Sequence, residues 1–168
     1  MILNTSCGLP ISVLTSLPFL LVKLDSVYAK IVAVNVIGES LMSEEGNGAS
    51  VVFTPDAPYS LSRNDATTIA GTIGLTWVQG LSNGGSPVLD YSIIFDQAKG
   101  VYISLATGVT LTSFVKTGLT VGQTYKFRVQ SRNDVGFSDY SAEIAVIAST
   151  YPKAPVGLLV DRVATTAN

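Results

Sequence analysis

The chain carries the same short segment twice, and this repetition limits its possible folds more than any other feature. Residues 35–40 and 133–138 both place a Gly three residues after an Asn and a Ser two residues after that Gly, and the copies lie 98 residues apart. A second matching pair, residues 55–58 and 152–155, lies 97 residues apart. Such a period is too long for one turn of a solenoid and suits one small globular domain. The sequence therefore predicts a window of a string of similar domains.

Composition predicts that these domains are built from β-strands. Apolar residues make up 47% of the chain and charged residues only 13%. Val, Ile, Thr, Tyr and Phe dominate the apolar runs, and Gly, Pro, Ser and Asn interrupt them about every 8 to 12 residues, as in an all-β sandwich. The net charge of −2 and the scattered basic residues give no stripe that would bind nucleic acid.

Cysteine and histidine usage excludes several kinds of site. The single cysteine, Cys7, rules out a disulfide within the chain. It is either a small buried hydrophobe or the partner of a cysteine elsewhere. The absence of histidine excludes Ser-His-Asp and Cys-His catalysis and every histidine-based metal site. We therefore predict no enzyme activity, no metal and no cofactor.

The apolar stretch at residues 9–22 is predicted to be strand material of the first repeat. No basic side chain precedes it, it contains Pro10 and Pro18, and it has no small-residue cleavage site before Lys23, which argues against a signal peptide. It is also too short to span a bilayer.

Residues 56–152 are predicted to form a complete copy of the repeat. Large residues alternate with small or polar ones at Ile73, Leu75 and Trp77, the pattern of a half-buried strand. The clearest alternation runs from residue 124 to residue 132. Together these patterns predict about seven strands and a core built around four aromatic residues: Trp77, Tyr91, Tyr125 and Phe127.

Four groups of residues in this copy resemble motifs of the fibronectin type III family. Trp77 resembles the core tryptophan of its second strand, and residues 84–91 resemble its turn between the second and third strands. Residues 119–125 are similar to its Leu-x-Pro-Gly-Thr-x-Tyr turn, which holds a buried tyrosine, with Val121 in place of the usual Pro. Residues 133–138 resemble its Asn-x-x-Gly-x-Ser loop. The resemblance implies an all-β, immunoglobulin-like seven-stranded β-sandwich, in tandem.

The flanking segments are predicted to be partial repeats. Residues 1–55 match only the C-terminal part of a repeat, and residues 153–168 match only an opening strand. We expect residues 1–55 to form strands whose apolar faces lack a covering sheet: Ile11, Val13, Leu21, Val27, Ile31, Val51 and Phe53. Such faces and edges favour association with neighbouring repeats or identical subunits, or completion by a missing stretch of the same polypeptide. Residues 156–163 are the candidate for a donated strand.

Other chemistry-bearing residues have ordinary explanations. Glu44 and Glu45 form an acidic turn that is expected to be a solvated loop. Asp134 and Asp139 flank the loop in which some family members carry Arg-Gly-Asp, a sequence that is absent here. Asn4 begins the only N-glycosylation sequon, so glycans are possible partners and a secreted setting is favoured.

These observations favour a non-catalytic structural or adhesive module of an extracellular or cell-surface tandem-repeat protein, with a filament subunit as a special case. Two alternatives stay open. One is an accessory spacer domain of a secreted carbohydrate-active enzyme, and the other is an intracellular scaffold array.

Overall fold

The computed structural model describes residues 8–149 and 156–157. Within these residues the chain forms one short helix and nine strands. They are α1 (Ile11–Thr15), β1 (Ser26–Ala29), β2 (Gly46–Ser50), β3 (Tyr59–Arg63), β4 (Ile73–Val78), β5 (Asp90–Phe95), β6 (Ile103–Val109), β7 (Ser113–Lys116), β8 (Thr124–Arg132) and β9 (Ile144–Ile147).

Strands β3 to β9 form a sandwich of two antiparallel sheets. One sheet has the order β3-β4-β7 and the other the order β6-β5-β8-β9. The predicted all-β, seven-stranded, immunoglobulin-like fold is thereby confirmed. The core lies between the sheets because side chains alternate along each strand, so each strand contributes every second residue to it.

Strand β8 is one of the two central strands of the larger sheet. Its antiparallel pairing with β5 runs from Asp90 opposite Arg132 to Phe95 opposite Phe127. On its other side, β9 pairs only with the first four residues of β8. The alternation of buried and outward side chains along β8 agrees with the sequence pattern.

Strands β1 and β2 form a separate antiparallel pair that copies β8 and β9. Tyr28 pairs with Asn47 as Lys126 pairs with Ala145. Val27 pairs with Ala49, so Gly48 is an additional residue that bulges from β2. This one residue explains why segments before it recur after 98 residues and segments after it recur after 97.

The prediction of strands across the first repeat was largely wrong. Residues 9–22 contain helix α1, which includes Ile11 and Val13. The hydroxyl groups of Thr15 and Ser16 donate to the carbonyl oxygens four residues earlier, at 3.1 and 2.7 Å, and Pro18 disfavours continuation of the helix. Leu21, Ile31, Val51 and Phe53 lie outside strands, and Val27 alone of the seven predicted residues lies in one.

The short length of β1 has a physical cause. In the complete repeat, the second half of β8 is a strand because β5 pairs with it. Among the described residues no strand takes the place of β5 beside β1, which therefore ends at Ala29. The sequence pattern at Ile31 and Ala33 is that of a strand, but none of the described strands pairs with these residues.

Candidate interaction surfaces

The four predicted aromatic residues lie together in the buried core of the sandwich. Trp77 and Tyr91 pack edge to face, with ring centroids 5.4 Å apart. Phe127 stacks on Phe95 at 6.1 Å. The hydroxyl oxygen of Tyr125 accepts a hydrogen bond from the main-chain N–H of Thr120 at 3.0 Å, which ties the turn before β8 to the core. This core fixes the strands whose ends carry the surfaces described below.

The two Asn-x-x-Gly-x-Ser segments, here called loop 1 (residues 35–40) and loop 2 (residues 133–138), have the same hydrogen bonds. Asn35 Oδ1 accepts from the N–H groups of Ile37 and Gly38 at 2.8 and 3.2 Å. Asn133 Oδ1 accepts from the N–H groups of Val135 and Gly136 at 3.0 and 3.2 Å. The Asn of the motif therefore closes the turn through its side-chain oxygen.

The Gly and Ser of the motif also have defined roles. Gly38 and Gly136 have φ values of 154° and 153°, which residues other than glycine rarely adopt. Ser40 Oγ accepts from the N–H of Ala33, and Ser138 Oγ accepts from the N–H of Ser131, both at 3.0 Å. The repeated sequence thus specifies a repeated loop, although the strands that precede the two loops differ in length.

Loop 2 touches the linker between the two repeats, residues 51–58. The side-chain amide of Asn133 donates to the carbonyl oxygens of Phe53 at 2.8 Å and Asn83 at 2.9 Å. Phe53 N donates to Gly84 O at 2.9 Å, and Asp56 N donates to Ser82 O at 2.8 Å. Loop 2 and the turn at residues 82–86 together form the surface that we call the pole of the complete domain.

The first-repeat segment also contacts the pole. Val51 is buried, and its main chain exchanges hydrogen bonds with the turn before β1: Leu24 N donates to Val51 O at 2.8 Å, and Val51 N donates to Asp25 O at 2.9 Å. A Cβ placed on Gly85 would lie 2.9 Å from Leu24 Cδ2. The turn before β1 therefore lies against the turn of the next repeat.

The side of the first repeat that corresponds to the core is uncovered. Ile31 is 74% exposed, whereas its equivalent in the complete repeat, Val129, is fully buried at 0%. Ala29 is exposed, whereas its equivalent, Phe127, is fully buried. Helix α1 closes only part of this side, where it helps to line an open cavity of about 340 Å³ with Leu9, Ile11, Leu14, Val27, Ala49, Ser50, Val51 and Val52.

A charged cluster covers the outer face of the larger sheet. Glu143 contacts Lys126 Nζ at 3.0 Å and Arg128 at 2.9 Å, and it accepts a hydrogen bond from the Tyr102 hydroxyl. These bonds lower the pKa of Glu143 to about 2, and the hydrogen bond from Tyr102 contributes most. Burial, with the contribution of Glu143, raises the pKa of Tyr102 to about 12. Every member of the cluster is thus paired with another.

Beside this cluster, Arg132 holds Asp90 in a two-point contact. Arg132 Nε donates to Asp90 Oδ1 at 3.0 Å, and a second guanidinium nitrogen donates to Oδ2. The hydrogen bond from Arg132 lowers the pKa of Asp90. This contact explains why Asp90 is buried although it points away from the core.

The other predicted positions lie apart. Glu44 and Glu45 are exposed before β2. Asp134 accepts a hydrogen bond from Ser86 Oγ at 2.8 Å, within the pole. Asn4 and Cys7 lie outside the described residues. In the part of the chain that the structure describes, no helix is long and apolar enough to cross a membrane. The absence of catalysis, metal and cofactor stays a prediction.

Sequence reasoning did not find the contact between Asn133 and the linker. Its signal was present, since the same Asn recurs with the same spacing before a Gly and a Ser, but the motif was interpreted only as a marker of the family. The charged cluster was also missed. Its members come from three separate strands or loops, and their proximity depends on the register of the sheet.

Comparison with known proteins agrees with this geometry. A family model described as fibronectin type III domain matches residues 56–147. Protein sidekick-1 of Homo sapiens is 30% identical over 68% of this chain, which covers 6% of that relative. Protein sidekick of Drosophila melanogaster is 34% identical over 60% of this chain, which covers 4% of that relative. Myosin-binding protein H of Gallus gallus is 30% identical over 58% of the chain, which covers 18% of that relative.

Solved structures show the same fold. A crystal structure of titin domains superposes with a TM-score of 0.59 at 22% identity, over 74% of this chain and 41% of that one. Because the family model matches more than half of the sequence and accounts for the core and turns described above, the chain belongs to the fibronectin type III domain family.

Proposed function

We propose that the chain is a non-catalytic structural or adhesive module of a tandem-repeat protein. In this proposal residues 1–55 are the C-terminal part of one repeat, residues 56–152 are a complete domain, and residues 153–168 open a further repeat. The support is the internal repetition, down to the hydrogen bonds of loops 1 and 2.

The main support for the proposal is the uncovered side of the first repeat. Val129 is fully buried in the complete domain, whereas its equivalent in the first repeat, Ile31, is exposed. Exposed apolar side chains beside an unpaired strand edge favour association with a further strand or sheet. We infer that this side is completed by a neighbouring repeat, by an identical subunit or by a further stretch of the same polypeptide, and that completion by a subunit would build an assembly.

Residues 156–163 are proposed as one donated strand, because they match the opening strand of a repeat. Val156 and Gly157 are exposed, and the remainder lies outside the described residues. Contacts that run from the end of one subunit to the start of the next do not close, so they would extend a string into a filament.

A matched pair of variants tests the proposal by sedimentation velocity over a range of concentrations. Ile31→Lys places a charge on the uncovered side, at the position where the complete repeat has Val129. Tyr28→Lys places the same charge at the position where the complete repeat has Lys126 on its outer face. We expect the parent chain and Tyr28→Lys to associate as the concentration rises, and Ile31→Lys to sediment as a monomer.

We further propose an extracellular or cell-surface location, supported by the Asn4 sequon. The similarity to myosin-binding protein H favours an intracellular scaffold array as the second candidate. The mass of the native protein before and after enzymatic removal of N-glycans separates them. A loss of glycan mass at Asn4 supports the first proposal, and an unmodified Asn4 in the native protein counts against it.

A further inference from the structure

We propose that the pole of the complete domain is a binding site for an extended main chain, and that the Asn133 amide locks the orientation of the first-repeat segment on the complete domain. The site is occupied by the linker of the same chain. The inference concerns the joint between repeats and does not depend on which partner covers the first repeat.

The linker is bound through its main chain. Phe53 N donates to Gly84 O at 2.9 Å, and Asp56 N donates to Ser82 O at 2.8 Å. Ser82 N in turn donates to the Asp56 carboxylate at 2.9 Å. Pro55 lies between the two donating residues, so its missing N–H removes none of these bonds. The arrangement is that of an extended peptide added to the edge of a folded domain.

The Asn133 side chain joins the linker to the pole. Its two amide hydrogens are directed at carbonyl oxygens of different segments, Phe53 in the linker and Asn83 in the turn. Its oxygen accepts two further hydrogen bonds within loop 2. Asn133 is buried, and four hydrogen bonds satisfy its amide completely. A fully satisfied buried amide of this kind fixes the three segments that it joins relative to one another.

The shape of the pole suits this approach because two of its residues have no side chain. A Cβ on Gly84 would lie 2.1 Å from Phe53 O. A Cβ on Gly85 would lie 2.9 Å from Leu24 Cδ2 and 3.2 Å from Val52 Cγ1. Any other residue at Gly84 would push the linker away from the pole, because its Cβ would meet main-chain oxygens, whereas a Cβ at Gly85 would meet only side-chain ends.

Loop 1 provides an internal comparison. Asn35 closes its loop with the same two hydrogen bonds as Asn133. Its amide nitrogen makes no hydrogen bond to the described residues, and Asn35 is exposed. A change from Asn to Asp keeps the oxygen that closes each loop and removes the donating nitrogen. Asn133→Asp therefore removes the lock while the loop stays closed, and Asn35→Asp is its matched control.

The test measures the distance between spin labels on the two repeats of the full chain. Cysteines at the exposed positions Glu44 and Lys99 carry the labels, with Cys7→Ser as background. We expect a narrow distance distribution for the parent chain and for Asn35→Asp, and a broad one for Asn133→Asp. Chymotrypsin should cut after Phe53 about tenfold faster in Asn133→Asp, because the hydrogen bond from the Asn133 amide to Phe53 O and the amide's second bond, to Asn83 O in the pole, are both lost. Trp77 fluorescence reports whether the complete domain is folded.

Two results would overturn the lock. One is a folded Asn133→Asp chain with the parent's distance distribution and linker cleavage rate. The other is an equal broadening in Asn35→Asp. If Asn133→Asp does not fold, Gly84→Ala addresses the same contact from the turn. Its added methyl group should broaden the distribution, and a folded Gly84→Ala chain with the parent's distribution would contradict the inference.

Discussion

Trp77 and Tyr91 meet edge to face at the centre of the sandwich, with their rings inclined by 69°. Trp77 comes from the three-stranded sheet and Tyr91 from the four-stranded sheet, so this pair joins the two layers. The indole Nε1 is buried and has no hydrogen-bond partner in the part of the chain that the structure describes. Trp77 therefore stabilises the domain by packing.

Replacement of Trp77 by Ala should lower the free energy of unfolding by about 3–5 kcal/mol, because it removes buried apolar surface and leaves a cavity. Trp77→Phe should cost less, since it fills part of the space and breaks no hydrogen bond. Urea unfolding of the chain measures both. A Trp77→Ala chain as stable as the parent would contradict the position of Trp77 in the core.

Removal of the Tyr125 hydroxyl should loosen the turn before β8. Tyr125→Phe loses the hydrogen bond from Thr120 N and leaves that donor without its partner, so we expect a loss of about 1 kcal/mol in the free energy of unfolding. Tyr59→Phe is the control, since the Tyr59 side chain is 44% exposed and its hydroxyl has no hydrogen bond among the described residues. Equal effects of the two substitutions in thermal unfolding would argue against the role of the turn.

The charged cluster predicts a dependence of stability on acid pH. The pKa of Glu143 is lowered from an ordinary 4.5 to about 2 in the folded chain, first by the Tyr102 hydroxyl and then by Lys126 and Arg128. A lowered carboxyl pKa stabilises the folded state above the ordinary pKa, and the contribution is lost as the pH falls from about 4.5 towards about 2.

We therefore expect the parent chain to be more stable than Glu143→Gln at pH 7 and the difference to shrink in that acid range. Thermal unfolding between pH 7 and pH 3 measures it. A difference that does not change with pH would show that the Glu143 carboxylate makes no ionic contribution.

The sequence predicted the sandwich fold well where a strand alternates between buried and outward side chains. In β8, Tyr125, Phe127 and Val129 face the core and alternate with polar residues, so the pattern alone indicates which face is buried. The period of 98 residues predicted that loop 1 is equivalent to loop 2, and the hydrogen bonds of Asn35 and Asn133 agree in detail.

The same reasoning failed where structure depends on a partner. Ile31 has the pattern of Val129, yet β1 ends before it because no described strand pairs with it as β5 pairs with β8. Helix α1 was missed because a five-residue apolar segment has no periodicity that separates helix from strand. The contact between Asn133 and Phe53 joins residues 80 positions apart, and local patterns carry no information about it.

Hydrogen exchange along the first repeat tests most directly the claim that this repeat remains uncovered until it associates. Mass spectrometry would follow the amides of residues 30–34 and of their equivalents, residues 128–132, in dilute and concentrated solution. We predict that residues 30–34 exchange rapidly in the dilute chain and slow as the concentration rises, whereas residues 128–132 are protected at both. Protection of residues 30–34 in a dilute monomer would contradict the account.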